Sequence, residues 1–205
     1  MHPTNTFEPN VLNFDETLIF DLINVAPADI LSVEWCYSLT IDGGQLVVDN
    51  DSDESASVTA MFGADLDVSS STQNLLDSGL QHIFSDVVSN TNARFALAAN
   101  DGDSLGDYDP SGPDGTTILG EQVTTTGSGF VNSAFLSQYA GLGTFALEVD
   151  GNSVIDVSGG GGIEFASTPA DASGFITLKV TAVPEPSSAL LAMTGLLGFV
   201  LRRRR

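Results

Sequence analysis

The stretch Ile30-Leu-Ser-Val-Glu-Trp-Cys-Tyr-Ser-Leu-Thr-Ile41 decides the fold, together with the Asp42-Gly43-Gly44 and Gln45-Leu46-Val47-Val48 that follow it. β-Branched and aromatic residues dominate the first run, and apolar and polar residues partly alternate along it, the pattern of a half-buried strand. Asp-Gly-Gly is a turn signal, so the two runs read as a hairpin. Working outward, Thr17–Ile23, Ser57–Val68, Ala93–Ala99, Gly120–Thr126, Thr144–Val149, Ser153–Val157, Ile163–Ala166 and Gly174–Ala182 have the same strand-like composition. Asp150-Gly151-Asn152 reads as a second hairpin turn. Short strands separated by turn residues predict an all-β fold, an antiparallel β-sandwich of jelly-roll or Ig-like type. Thr72–Val88 stays open between helix and strand. Asn132–Tyr139, with Asn132 as N-cap and Gly141 as stop, predicts one short helix.

The 205 residues hold 27 acids against 6 bases, and four of those bases are Arg202, Arg203, Arg204 and Arg205. Residues 1–183 therefore carry 26 acids, all but Glu185, against Arg94 and Lys179, a formal balance of −24. A nucleic-acid partner is excluded, because almost no cations are present to displace phosphate counterions. The same scarcity excludes an arginine-cluster phosphate reader. Such a surface is hydrated and self-repelling. It reads either as plain solubility in a salty or extracellular medium or as cation binding. One cysteine, Cys36, excludes an internal disulfide framework, and its place in an apolar run predicts a buried, inert thiol.

The C-terminus has three parts in order: Val183-Pro184-Glu185-Pro186-Ser187, an uncharged run ending Leu190-Leu191-Ala-Met-Thr-Gly-Leu196-Leu197-Gly-Phe199-Val200-Leu201, and four arginines. The prolines cannot continue a strand or enter a helix interior, so the first part is a stiff, extended break. The 15 uncharged residues Ser187–Leu201 would make a helix of about 22 Å at 1.5 Å per residue. That is short of a hydrocarbon core of about 30 Å, a gap that snorkelling arginines and local thinning can close. Arg202–Arg205 would then stop on the cytoplasmic side, each contributing about 1 kcal/mol near anionic lipid. A buried apolar helix with a basic end is the competing reading. The expected division is an N-terminal segment at 1–13, a sandwich domain at 14–182 and a sorting signal at 183–205. The last splits into the Pro-Glu-Pro part (183–187), a single transmembrane helix (188–201) and the basic cluster (202–205). Met1–Pro9 has neither a basic region nor a 7–15-residue apolar stretch, so no export signal is read there. Because the C-terminus implies export, the start is expected to be incomplete or already trimmed.

These three parts resemble the PEP-CTERM sorting signal. The resemblance implies an exported protein held in the inner membrane, whose tail is removed by an exosortase, a membrane-embedded cysteine protease that recognises the Pro-Glu-Pro region. Proteins with this signal belong mostly to Gram-negative bacteria that make exopolysaccharide and are linked to biofilm matrix. The body resembles, more loosely, the choice-of-anchor E domain over roughly residues 14–183. That likeness rests on the Phe14–Leu22 opening, the Asp101-Gly102…Asp107-Tyr108-Asp109-Pro110-Ser111-Gly112 stretch, Phe135-Leu136 before Gly141-Leu142-Gly143-Thr144, and the closing Thr177–Val183 run. It implies architecture and destination, and no catalytic residue.

Two acidic stretches could bind calcium, which takes six to eight oxygen ligands. In Asp49-Asn50-Asp51-Ser52-Asp53-Glu54 the glycine and terminal acid of an EF-hand are replaced by Glu54 and Ala60. That stretch reads as a solvated turn. Asp107-x-Asp109-x-Ser111-Gly112 matches half a calcium loop, and Ile118 stands where the bidentate glutamate belongs. Asp101, Asp103, Asp107, Asp109 and Asp114 form the candidate calcium set, against a flexible acidic loop as the bland alternative. Gly159–Gly162 lacks the lysine a phosphate nest would use and reads as a loop. Catalysis has little support: there is no Gly-x-Ser-x-Gly elbow, and a triad or a Cys36–His82 dyad would depend on His82 alone. The leading expectation is a non-enzymatic, exported cell-surface or matrix protein, anchored by its tail and processed by exosortase. Its partners would be exosortase, the inner membrane and exopolysaccharide, with no nucleic acid. It would need no cofactor unless calcium binds. A calcium-dependent adhesin using 101–114 and a secreted hydrolase are the alternatives.

Overall fold

Eleven strands follow one another along the described chain: β1 (Thr4–Val11), β2 (Phe14–Asp21), β3 (Ile30–Asp42), β4 (Gln45–Asn50), β5 (Ala56–Ser69), β6 (Val87–Leu97), β7 (Gly115–Leu119), β8 (Val123–Phe130), β9 (Thr144–Ser158), β10 (Ile163–Thr168) and β11 (Asp171–Ala182). The structure, a computed structural model, describes residues 3–11, 13–102 and 106–183. Every strand pairing is antiparallel. The sheet orders are β1-β11-β3-β8, β10-β4-β7 and β2-β9-β5-β6.

The first two of these sheets are one sheet with a bend. Asp42 faces Asp171 and Gln45 faces Thr168, so the β3–β11 register carries straight into β4–β10. Likewise Ile41 faces Val123 and Gln45 faces Leu119, continuing β3–β8 into β4–β7. The Asp-Gly-Gly read as a hairpin turn is instead where this strand passes on. Gly43, Gly44 and Gly120 let neighbouring backbones approach at the bend. A Cβ on Gly44 would fall on the Thr168 carbonyl, one on Gly43 would fall on the Gly120 backbone, and Gly120 N–H donates to Gly44 O at 2.9 Å. The second predicted hairpin fails similarly. Both halves of β9 pair with the 14-residue β5, Val149 opposite Val68 and Val157 opposite Ala60, so Asp150-Gly151-Asn152 lies inside one continuous strand.

Alternation decides what each face buries. Val33, Trp35, Tyr37, Leu39 and Ile41 of β3 point inward, as do Val58, Ala60, Phe62, Ala64, Leu66 and Val68 of β5. Each large side chain so buried contributes about 1.5–3 kcal/mol. The period of two that puts Trp35 and Tyr37 inside puts Cys36 outside, so the thiol read as core is half-exposed on the outer face, beside Lys179. The core has two compartments, one between the β1-β11-β3-β8 half and β2/β9, the other under β4, β7 and β10. Residues 4–11, inside the segment set apart as 1–13, form edge strand β1, and Phe7 enters the core.

Thr72–Asp86 is neither helix nor regular strand. It is a loop held by the Leu76–His82 bridge. The expected short helix is a 3-10 turn at Ser133–Tyr139, with Asn132 Oδ1 accepting the Ala134 N–H at 3.0 Å, and a second covers Pro27–Asp29. No helix among the described residues is long and apolar enough to cross a membrane; the expected span at 188–201 lies outside them.

Candidate functional site

The sandwich has two chemically distinct ends. At one, β11 finishes at Ala182 and the Val183 N–H donates to Asp29 O at 2.8 Å, so the last described residues sit beside Asp29 at the start of the sorting sequence. The motif residues Pro184, Glu185 and Pro186 lie outside the described residues. So do the anchor residues Leu190, Leu191, Leu196, Leu197, Phe199, Val200 and Leu201, and the stop residues Arg202, Arg203, Arg204 and Arg205.

An aromatic plug closes the core at this end. Trp35 meets the Phe20 ring edge-on at 5.1 Å and packs on Phe84, Tyr139 and Phe145. Its indole Nε1–H donates to the Tyr139 hydroxyl at 3.2 Å, and that hydroxyl donates to Asn74 O at 3.1 Å. Burial pushes the Tyr139 hydroxyl up to about 12, against the lowering effect of the Trp35 bond. Thus the 3-10 turn and the 70–86 loop are pinned to β3 through Trp35.

The other end gathers acids from loops and strand ends far apart in sequence. Asp114 and Asp49 are each only 2% exposed. Asp114 Oδ2 accepts the Asp101 N–H at 2.6 Å, and Asp49 Oδ2 accepts the Asp109 N–H at 3.3 Å. Fully buried Asn50 donates to Glu54 O and Ala98 O. Asn100 donates to Asp51 Oδ1 at 3.1 Å, and Glu164 accepts the Gly106 N–H at 2.9 Å. Desolvation, then the Glu164 charge, raises the Asp51 carboxyl above its ordinary range. Of the predicted calcium set, Asp101 and Asp114 come together. Asp109 instead turns its carboxylate onto Ser111, whose hydroxyl and N–H hold it below the usual range. Asp107 is exposed, and Asp103 lies outside the described residues. Among the described residues, no three His, Cys, Asp or Glu side chains converge to hold a metal ion.

Sequence reading missed Asp49, Asp51 and Glu164 as neighbours of Asp101–Asp114, and it missed a row of carboxylates on a sheet face. Asp15 of β2 and Asp67 of β5 both face Asp150 of β9. Desolvation, then these two charges, raises Asp150 above the ordinary carboxylate range. The signal for both groups is strand register, which a single sequence does not display. The Cys36–His82 dyad does not form. Cys36 lies on the outer face, whereas His82 Nδ1 is 2.8 Å from Phe84 O, beside the ring that packs on inward-facing Trp35 and Tyr37.

The family model for the PEP-CTERM protein-sorting motif matches residues 182–205, so the chain ends in that sorting motif. No curated protein matches the chain. Among solved structures, a chain of the infectious bursal disease virus Gx strain is 13% identical, with a TM-score of 0.20, over 90% of this chain and 34% of the viral one. The VP2 subviral particle of infectious bursal disease virus is 12% identical, with a TM-score of 0.14, over 99% of this chain and 49% of the viral one. This chain thus spans a third to a half of those viral chains, and at such TM-scores the likeness carries no argument about it.

Proposed function

We propose that this chain is an exported surface protein whose tail holds it in the inner membrane until exosortase cuts in the Pro-Glu-Pro region and frees an acidic β-sandwich to the cell surface or exopolysaccharide matrix. The observation that carries this reading is the sorting motif at 182–205 abutting the last strand, β11, with no linker between. Residues 188–201 act as the anchor and Arg202–Arg205 set its orientation. The body works by binding and bulk, not catalysis; its strong negative charge keeps released copies apart and hydrated. We read residues 14–183 as a body of the choice-of-anchor E kind, which would share this destination. Deleting Arg202–Arg205 in the producing cell is expected to impair membrane retention and tail removal. Unchanged processing in that mutant would count against the reading.

A calcium-dependent adhesin is the second reading. It uses the acidic loop 101–114 and is favoured by the meeting of Asp101 with buried Asp114, whose Oδ2 accepts the Asp101 N–H. Calorimetry and thermal melting with calcium test it: neither heat nor a melting shift would remove it.

A further inference from the structure

We propose that the end of the sandwich from which the tail leaves rests on the bilayer and sets Leu31, Leu80 and Leu142 into a zwitterionic headgroup layer. This rests on reading residues 188–201 as the membrane anchor.

The first argument is reach. Only Pro184–Ser187 separate Val183 from that anchor, and the five steps from Val183 to residue 188 span at most about 18 Å fully extended. The headgroup layer takes up about 5–8 Å of that. Val183 is itself tied to Asp29, so at most about 13 Å of water fits between this end and the lipid.

The second argument is what the end presents. Leu142 is 81% exposed, between Gly141 and Gly143, both in the left-handed region at φ 135° and 105°. Leu80 is 60% exposed, at the tip of the Asp77–Gln81 turn, and is itself left-handed at φ 60°. A branched, bulky residue rarely adopts that conformation. Leu31 is 58% exposed, two residues from Asp29. These positions share one end of the fold. Gly141 N–H donates to Ile23 O at 2.9 Å, and the Asn132 N–H donates to Leu76 O at 2.9 Å. The Val131 N–H donates to Val33 O, near the start of β3, at 2.9 Å. Two leucines on separate loops, Leu80 and Leu142, and a third at the start of β3, Leu31, all turned to water in a chain this acidic, are explained together by a surface that takes them up.

The third argument is polarity of the molecule. The acidic loops sit at the far end of the β3–β4 run, residues 30–50, a path of up to about 70 Å at 3.3 Å per residue. Asp29 and Asp77 share the leucine end, so the matching lipid is zwitterionic rather than anionic. Because the tail already holds the body at the bilayer, docking is intramolecular and weak contacts suffice.

The test uses the full chain in phosphatidylcholine vesicles, on a Cys36→Ser background, with a fluorescent label attached through Leu142→Cys or, at the acidic end, through Asp53→Cys. Lipids carrying a nitroxide headgroup are expected to quench the label at 142 at least two-fold and to leave the label at 53 unchanged. In a chain carrying Leu80→Asn and Leu142→Asp, a label placed through Leu31→Cys should lose at least half of its quenching while the chain still floats with the vesicles. Floating vesicles with an unquenched label at 142, or equal quenching at 53, would overturn the docking and leave the anchor standing. A chain that does not float would overturn the anchor and the docking with it.

Discussion

Replacing Tyr139 by Phe removes one oxygen and nothing else from the plug at the tail end. The ring keeps its packing on Trp35 and its edge-on contact with Phe145 at 5.6 Å. What is lost is the acceptor for the Trp35 Nε1–H and the donor to Asn74 O. Trp35 is fully buried, so its N–H gains no water in exchange and carries a desolvation cost of about 1–3 kcal/mol. Asn74 belongs to an accessible loop, and its carbonyl can turn to solvent. The expected loss is therefore about 2 kcal/mol, well short of the roughly 3–5 kcal/mol that removing a whole buried aromatic ring costs. Trp35 is the single tryptophan, so urea unfolding of the full chain in mild detergent, followed by its fluorescence, reads the affected site directly. Alkaline pH supplies an independent check. With the folded pKa raised to about 12 from an ordinary 10, the stability linked to this hydroxyl is fully present below pH 10 and is lost as pH rises through about 12. Two pKa units correspond to about 2.7 kcal/mol, the upper limit of that loss. Tyr139→Phe should lack this part of the alkaline slope. A variant within 0.5 kcal/mol of wild type, or one with an unchanged alkaline slope, would refute the assignment of the Trp35–Tyr139–Asn74 chain as the clamp on this end.

Three further outcomes follow from the fold. Gly44→Ala puts a methyl group onto the Thr168 carbonyl at the bend, between two backbones that cannot yield, and should cost about 1–3 kcal/mol or more in the same unfolding assay. Asp150→Asn removes the central charge of the Asp15–Asp150–Asp67 row and should raise the melting temperature at neutral pH. Because the folded pKa of Asp150 is raised, wild-type stability should also increase as pH falls through it, a gain the variant lacks. Leu80→Asn places a residue that tolerates the left-handed region at φ 60° and should stabilise the body by about 0.5–1 kcal/mol while weakening its hold on phosphatidylcholine vesicles.

Composition and period brought the sequence close to the fold where each strand carried its own signal. The partial alternation of β3 and the strand-like composition of β5 are legible in the chain and point to strands, and the structure turns both into two-faced antiparallel strands. Turn chemistry misled at Gly43-Gly44 and Asp150-Gly151-Asn152, because a glycine pair also serves where backbones press together, and only the partner strand separates a turn from a passage. Cys36 was legible and misjudged: the period that buries its two neighbours turns it outward. β1 gave little signal, its β-branched residues being diluted by Glu8, Pro9 and Asn10. The acidic end was half-visible. Asp101 and Asp114 lie in one stretch, whereas Asp49, Asp51 and Glu164 arrive through the pairing of β4 with β7 and β10. The tail was the most legible part, since apolar length, prolines and terminal charge act in sequence order without a fold to arrange them.

Intact-mass spectrometry of the protein recovered from the cell surface and medium of the producing bacterium tests the central claim most directly. A chain ending between Val183 and Ser187, with the anchor and Arg202–Arg205 gone, is the expected result. A surface species that keeps all four terminal arginines, or a full-length chain found only in the cytosol, would contradict it.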